Sequence, residues 1–340
     1  MSARAEGPRG QRHSAGAQLV LRVLQQLPPY RWTQARLVKW GVTGRSAVIA
    51  IPYFWLLLFF LIPFLIVLKI AFAQQLNDSP PYSALFELID GGRSQGWILD
   101  AKLYLRGFIS LFTEDLYWQA YVNSVKISFI STICCLLVGY PIAYAIARST
   151  TTWRNILLMM VILPFWTSFL LRVYAWIGIL KNNGLINNFL MWTGLIDEPI
   201  VMLQTDFAIY VGIVYSYLPF MILPLYSNLE KMDLTLLEAA ADLGCKPIKA
   251  FLKVTLPLSL PGVIAGSMLV FIPVIGEFVI PELLGPSDTL MIGKQLWRVF
   301  FTGRDWPMAA AVAVALLLFL VVPIVLLQRA QGAELKGAHR

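Results

Sequence analysis

The chain has 340 residues, 58% of them hydrophobic and only 14% charged, with a mean hydropathy of +0.68 and a formal net charge of +8. A soluble domain carries about 25% charged residues, so the composition excludes an ordinary soluble enzyme and points to an integral membrane protein. Three cysteines, two of them adjacent (Cys134 and Cys135), and two histidines in opposite tails (His13 and His339) exclude a disulfide framework, a metal site and histidine catalysis in the body of the chain.

Residues 1–46 form a basic tail. Arg4, Arg9, Arg12, Arg22, Arg31, Arg36, Lys39 and Arg45 stand against the single acid Glu6. This excess reads as a cytoplasmic leader held inside by its positive charge. An RNA-binding tail is the rival, but no aromatic stacking platform accompanies the arginines. The first long apolar run starts too late and is too long for a cleaved signal peptide, and is read as an anchor.

Six segments approach or exceed the roughly 20 apolar residues a bilayer span needs. They are Ala47–Phe72, Val122–Ala147, Asn155–Leu180, Phe207–Leu229, Leu260–Leu284 and Pro307–Leu327. Loop 73–121 holds three basic residues and six acids and is assigned to the outside. Within it "SALFELI" and "LRGFISLF" read as two short amphipathic helices. The link with Arg148 and Arg154 lies inside, loop 181–206 outside, and the link 230–258, with Lys231, Lys246, Lys249 and Lys253, inside. The tail 328–340 is basic and also inside. The expected fold is all-α, with six spans and both termini cytoplasmic. Trp40, Trp118, Trp153, Trp192 and Trp306 lie near the predicted span ends, where indole rings favour the interface.

The link 235–257 is unusual for a loop. Thr235 and Glu238 fit a capping box, Gly244 suits a left-handed helix terminator, and Pro247 suits the first turn of a second helix. Ile248, Phe251 and Leu252 are expected on one face, and Pro257 closes the unit. The pattern describes helix, glycine turn, helix outside the bilayer. Its residues Glu238, Ala239, Ala240, Gly244, Leu256 and Pro257 resemble the EAA motif of the membrane subunits of bacterial ABC importers that use a periplasmic binding protein. Val254 stands where that family usually has isoleucine. The resemblance covers residues 122–327 and implies the type I importer permease fold. It also implies that this helix pair docks on, and couples to, a separate cytoplasmic ATPase. The chain has no G-x-x-x-x-G-K-[ST] phosphate loop. ATP and Mg are therefore assigned to a partner ATPase homodimer, with no cofactor and no catalytic residue on this chain.

In the fifth segment Gly262 and Gly266 form a small-xxx-small pair, while Pro273, Gly276 and Pro281 are expected to break the helix. Glu277 falls in this break. A carboxylate in a span is costly and usually functional or paired. Two alternatives stand. Glu277 faces the transport path, with Trp166, Tyr174, Trp176, Tyr215 and Tyr217 as aromatic neighbours for a cation, or it pairs with Arg172. Glu282 is read as interfacial, and Lys126 as snorkelling to the membrane surface.

"FWTSFLLRVYAWIGILKNNGLINNFL", "GEFVIPELLGP", "MIGKQLW" and "RDWPMAAAVA" are similar to putrescine/polyamine importer permeases, specifically to the first of two non-identical permeases. "LLGPSD" departs from relatives that carry paired glycines there. The resemblance implies an inner-membrane permease for putrescine or spermidine. Its implied partners are the ATPase, a second, similar permease, a periplasmic polyamine-binding protein and the lipid bilayer, with no nucleic acid. An importer permease for another small solute is the alternative. An ion-coupled secondary transporter is the other, although no inverted repeat is seen.

Overall fold

The computed structural model describes residues 44–90, 97–101 and 103–337. The basic tail up to residue 43 and the last three residues lie outside the described residues. The chain divides into two units, Met1–Val67 and Leu68–Arg340.

In the first unit, α1 (Gly44–Leu56) leads through a π turn, Leu57–Leu61, into α2 (Ile62–Ala71). The Ile62 N–H bonds the Leu57 carbonyl one residue beyond the usual α partner. Pro63 follows at once. A proline has no N–H and its ring crowds the carbonyl four residues back, and the wider turn relieves that conflict. The apolar helix Val48–Ala71 matches the first predicted span.

In the second unit, loop 73–121 departs from expectation. Residues predicted as a helix around Ser83–Ile89 instead supply strand β1 (Phe86–Asp90), antiparallel to β2 (Trp97–Ala101), with Phe86 opposite Ala101 and Asp90 opposite Trp97. The two five-residue runs satisfy each other's backbone groups, which a lone exposed turn of helix cannot do. The second prediction holds, as α3 (Arg106–Thr113) with Leu111 buried. Among the described residues the remaining named elements are helical.

The centre is built from three helices: α4 (Asp115–Arg148), α8 (Asp206–Glu230) and α11 (Leu256–Ile275). Small residues let them approach. A Cβ on Gly266 would stand 3.0 Å from the Met221 carbonyl oxygen, and one on Gly262 would stand 2.8 Å from Asn228 Cβ. The expected small-xxx-small pair is therefore the contact between α11 and α8. Around it Ile213, Met221, Ile222, Leu225, Val270 and Val274 are fully buried. At one end Arg154 ties three helix ends together. It pairs with Glu230 at 2.7 Å and donates to the carbonyls of Ala147 and Ser149.

The predicted third span is not straight. α5 (Thr151–Ile162) passes through a 3-10 turn, Leu163–Trp166, and meets α6 (Phe169–Leu180) and α7 (Leu185–Trp192) across a bend of 93°. Pro164 withdraws a helical donor, and Thr167 is extended, with its N–H and hydroxyl both bonded to the Pro164 carbonyl. The predicted fifth span begins too late and ends too late. α9 (Thr235–Asp242) precedes α10 (Pro247–Ala250), and a π turn, Phe251–Thr255, joins α10 to α11 in one helix from Pro247 to Ile275. It runs through Pro273 and stops at Gly276, and α12 (Val279–Leu283) is separate. α13 (Ile292–Trp297), a π turn (Arg298–Thr302) and α14 (Trp306–Gly337) complete the chain.

Candidate functional site

Two places hold the residues singled out by sequence. The first is the helix pair at 235–257. The capping box is not formed. Leu234 already has helical backbone angles, so Thr235 lies inside the first turn, and its N–H bonds Asp233 Oδ1 instead. At the other end the expected terminator is present. Gly244 has φ +75°, Cys245 N–H bonds the Ala240 carbonyl, and Gly244 N–H bonds the Ala241 carbonyl. Those paired bonds satisfy the last carbonyls of α9 and turn the chain into Pro247. Pro257 does not close the unit, because the helix continues through it. Nor do Ile248, Phe251 and Leu252 share a fate: Ile248 (77% exposed) and Leu252 (54%) face outward, while Phe251 packs against the core.

Glu238 and Ala239 are exposed, as are Gly244 and Pro257, while Ala240, Val254 and Leu256 are half-buried. Leu236, Leu243, Ile248 and Leu252 add uncovered apolar area to a surface that also carries Lys246, Lys249 and Lys253. Apolar side chains bunched on so small a helix pair mark a contact surface.

The second place is the break after α11. Glu277 is 8% exposed. Its Oε1 accepts the backbone N–H groups of Phe278 (3.1 Å), Val279 (2.9 Å) and Ile280 (3.4 Å), and its Oε2 accepts the Tyr217 hydroxyl at 2.5 Å. The carboxylate thus satisfies the free amides at the start of α12, where negative charge is favoured. Gly293 at the head of α13 abuts the break so closely that a Cβ there would lie 2.3 Å from the Gly276 carbonyl oxygen. Ile292 N–H bonds Ser124 Oγ of α4.

Arg172 does not take the part of counter-ion. Among the described residues no ion pair joins it to Glu277. Its guanidinium lies 5.2 Å from the Phe165 ring and 5.8 Å from the Phe169 ring, with Nε unpartnered. Of the five aromatic candidates, only Tyr217 hydrogen-bonds the carboxylate. Trp176 and Tyr215 meet edge to face at 5.4 Å, while Trp166 and Tyr174 are exposed.

Sequence reading missed Lys294. It is 4% exposed and lies 3.3 Å from Glu282, and it donates to the carbonyls of Pro286 (3.3 Å) and Ser287 (3.4 Å). Arg298 adds a second donor to Ser287 O. Glu282 and Lys294 lie in different helices, so no local spacing announces the pair. Nearby, Lys126, Asp206, Tyr210 and Asp288 line a polar cavity of about 470 Å³.

Residues 45–331 match the model of the family described as the binding-protein-dependent transport system inner membrane component. The chain belongs to this family. It is therefore a multi-pass inner-membrane permease subunit of an ABC importer. The permease is 38% identical over 286 residues to the spermidine/putrescine transport system permease protein PotB of Haemophilus influenzae, covering 84% of this chain and 93% of that one. It is 36% identical over 276 residues to PotB of Escherichia coli K12, covering 81% and 94%. Among solved structures it is similar to a bacterial alginate ABC transporter in complex with an alginate pentasaccharide-bound periplasmic protein. There the TM-score is 0.62 with 16% identity, covering 87% of this chain and 94% of that one. That likeness supports the fold alone.

Proposed function

We propose that this permease carries a small linear polycation, putrescine or spermidine, as the first of two similar permeases in an ATP-driven importer. The observation that carries the reading is the buried Glu277 at a helix break, in a chain similar over most of its length to permeases named for spermidine and putrescine. An ammonium group offers three donors and a positive charge. A carboxylate already held by three backbone N–H groups and a hydroxyl is fixed in orientation before any cation arrives.

In this reading the chain crosses the membrane six times with both termini in the cytoplasm. The broken α5–α6 pair forms one crossing and α14 the last. A periplasmic polyamine-binding protein delivers cargo outside. An ATPase homodimer, which holds ATP and Mg, grips the 235–257 helix pair inside. Glu238, Ala239, Ala240, Gly244, Val254, Leu256 and Pro257 form the coupling surface. Closure of the ATPase moves that surface, and the spans expose Glu277 to alternate sides. The aromatic groups of Trp166, Tyr174, Trp176, Tyr215 and Tyr217 flank the path.

The test is reconstitution in vesicles with the companion permease, the ATPase and the binding protein. Putrescine should stimulate ATP hydrolysis and enter the lumen. Glu277→Gln should lower its uptake by about tenfold, the equivalent of roughly 1.4 kcal/mol, with the protein still inserted. Unchanged uptake by that variant removes Glu277 from the path. No stimulation by putrescine or spermidine favours the alternative, an importer for another small solute.

A further inference from the structure

Where the exposed helix pair runs into α11, one aromatic side chain turns inward. Phe251 opens the π turn. Its ring meets Tyr140 nearly at right angles, centroids 5.5 Å apart, and Tyr144 likewise at 6.2 Å. The two tyrosines are one turn apart on α4, so they form the two sides of a socket. A further turn along, the Arg148 guanidinium lies 5.2 Å from the Tyr144 ring centre. The Tyr140 hydroxyl bonds Ser259 Oγ at 2.8 Å, buried. Ser259 Oγ donates to the Leu256 carbonyl at 2.9 Å, so the tyrosine is the donor in that pair. α4 therefore holds the continuous helix at both ends of the π turn, at Phe251 where it opens and at Ser259 beyond it.

The placement matters mechanically. A π turn followed by Pro257 interrupts the regular hydrogen-bond ladder, and helices bend at such interruptions. A push on the exposed pair would be absorbed there if the π turn were the sole connection. The ring in its socket bridges the weak point and carries displacement sideways into α4. Edge-to-face aromatic pairs add about 0.5–1.5 kcal/mol beyond area burial, enough to keep the contact closed through small movements.

We propose that Phe251 is a positioning residue that transmits movement of the 235–257 helix pair to α4, with Tyr140 and Tyr144 as its socket. This rests on the reading that the pair receives the ATPase. The test uses the complete reconstituted transporter, with ATP hydrolysis and putrescine uptake measured on the same vesicles. Phe251→Ala should still co-purify with the ATPase and keep at least about half of its hydrolysis, while uptake per ATP falls about five- to tenfold. Tyr140→Phe, which loses the hydroxyl alone, should lower the ratio about twofold, and Tyr144→Phe, which keeps its ring, should not move it. If Phe251→Ala does not accumulate, Phe251→Leu keeps most of the volume without the ring and should show the same split. An unchanged ratio overturns the proposal, whether both rates persist or both fall together, since a merely structural role lowers them in parallel. If the wild-type chain captures no ATPase, the docking reading itself fails, and that outcome is separate from this one.

Discussion

Glu277 and Lys294 show two ways of burying charge in one helical scaffold. Among the described residues the glutamate makes no ion pair. Three backbone amides and a phenol hold it. Lys294 is held by two carbonyls and by the half-exposed Glu282. Its surroundings predict an asymmetry. Glu282→Ala strands a buried ammonium, whereas Lys294→Met removes the charge and leaves its carboxylate partner near solvent. Breaking a buried pair from the wrong side is the costlier change. We expect Glu282→Ala to destabilise the protein by about 1–2 kcal/mol, scaled down for the exposure of the carboxylate, and Lys294→Met by less than about 1 kcal/mol. Thermal unfolding in detergent checks the order of the two, and the reverse order would refute this account of Lys294.

At the scale of elements, legibility followed the length of the interactions that decide each one. Gly244 and Pro247 act through their own backbones, so the end of α9 and the start of α10 were readable from two residues. The small-xxx-small pair at Gly262 and Gly266 was readable because contact at that spacing is itself a helical pattern. The capping box failed because Leu234 had already entered the helix, which local spacing does not reveal. The hairpin at 86–101 rests on pairing between two separate runs; the Asp90-Gly91-Gly92 stretch between them is itself a turn signal, but the spacing within 83–89 reads equally as a short amphipathic helix. The bend at Thr167 was written as Pro164 followed by Thr-Ser, yet uniform apolarity around it suggested one straight span. The left-handed Gly244 gives a test at this scale. Gly244→Ala places a Cβ in a conformation that costs about 1–2 kcal/mol. Amide hydrogen exchange across 235–250 should quicken, while α4 and α8 keep their protection. Unchanged exchange in that segment would mean the turn is not what orders the pair.

For the whole molecule, the family and the membrane-spanning character were visible in composition and in one motif, because both rest on many residues at once. The site was less visible. Glu277 was found by its cost in a span, but its actual partners, Tyr217 and the amides of residues 278–280, depend on how α8 and α12 meet. Arg172, similar in predicted depth, sits instead against Phe165 and Phe169. The assembly reading yields one further expectation. Glu238→Lys should leave the permease in the membrane, with its unfolding midpoint within about 2 °C of wild type, since exposed substitutions usually shift stability by less than about 0.5 kcal/mol. Capture of the ATPase by co-purification should drop about tenfold or more, and normal capture would refute docking at this surface.

The π turn at Phe251–Thr255 accommodates one residue more than a regular α turn would. Each residue advances an α-helix by about 100°. Shortening the chain by one residue there would restore a plain α ladder and swing everything N-terminal to it around the rod by that angle. Leu243, Ile248 and the exposed Glu238 and Ala239 would then point in a different direction around that axis. The aim of the surface is thus stored as a single surplus residue: a tuning of azimuth, set by chain length and invisible to any substitution.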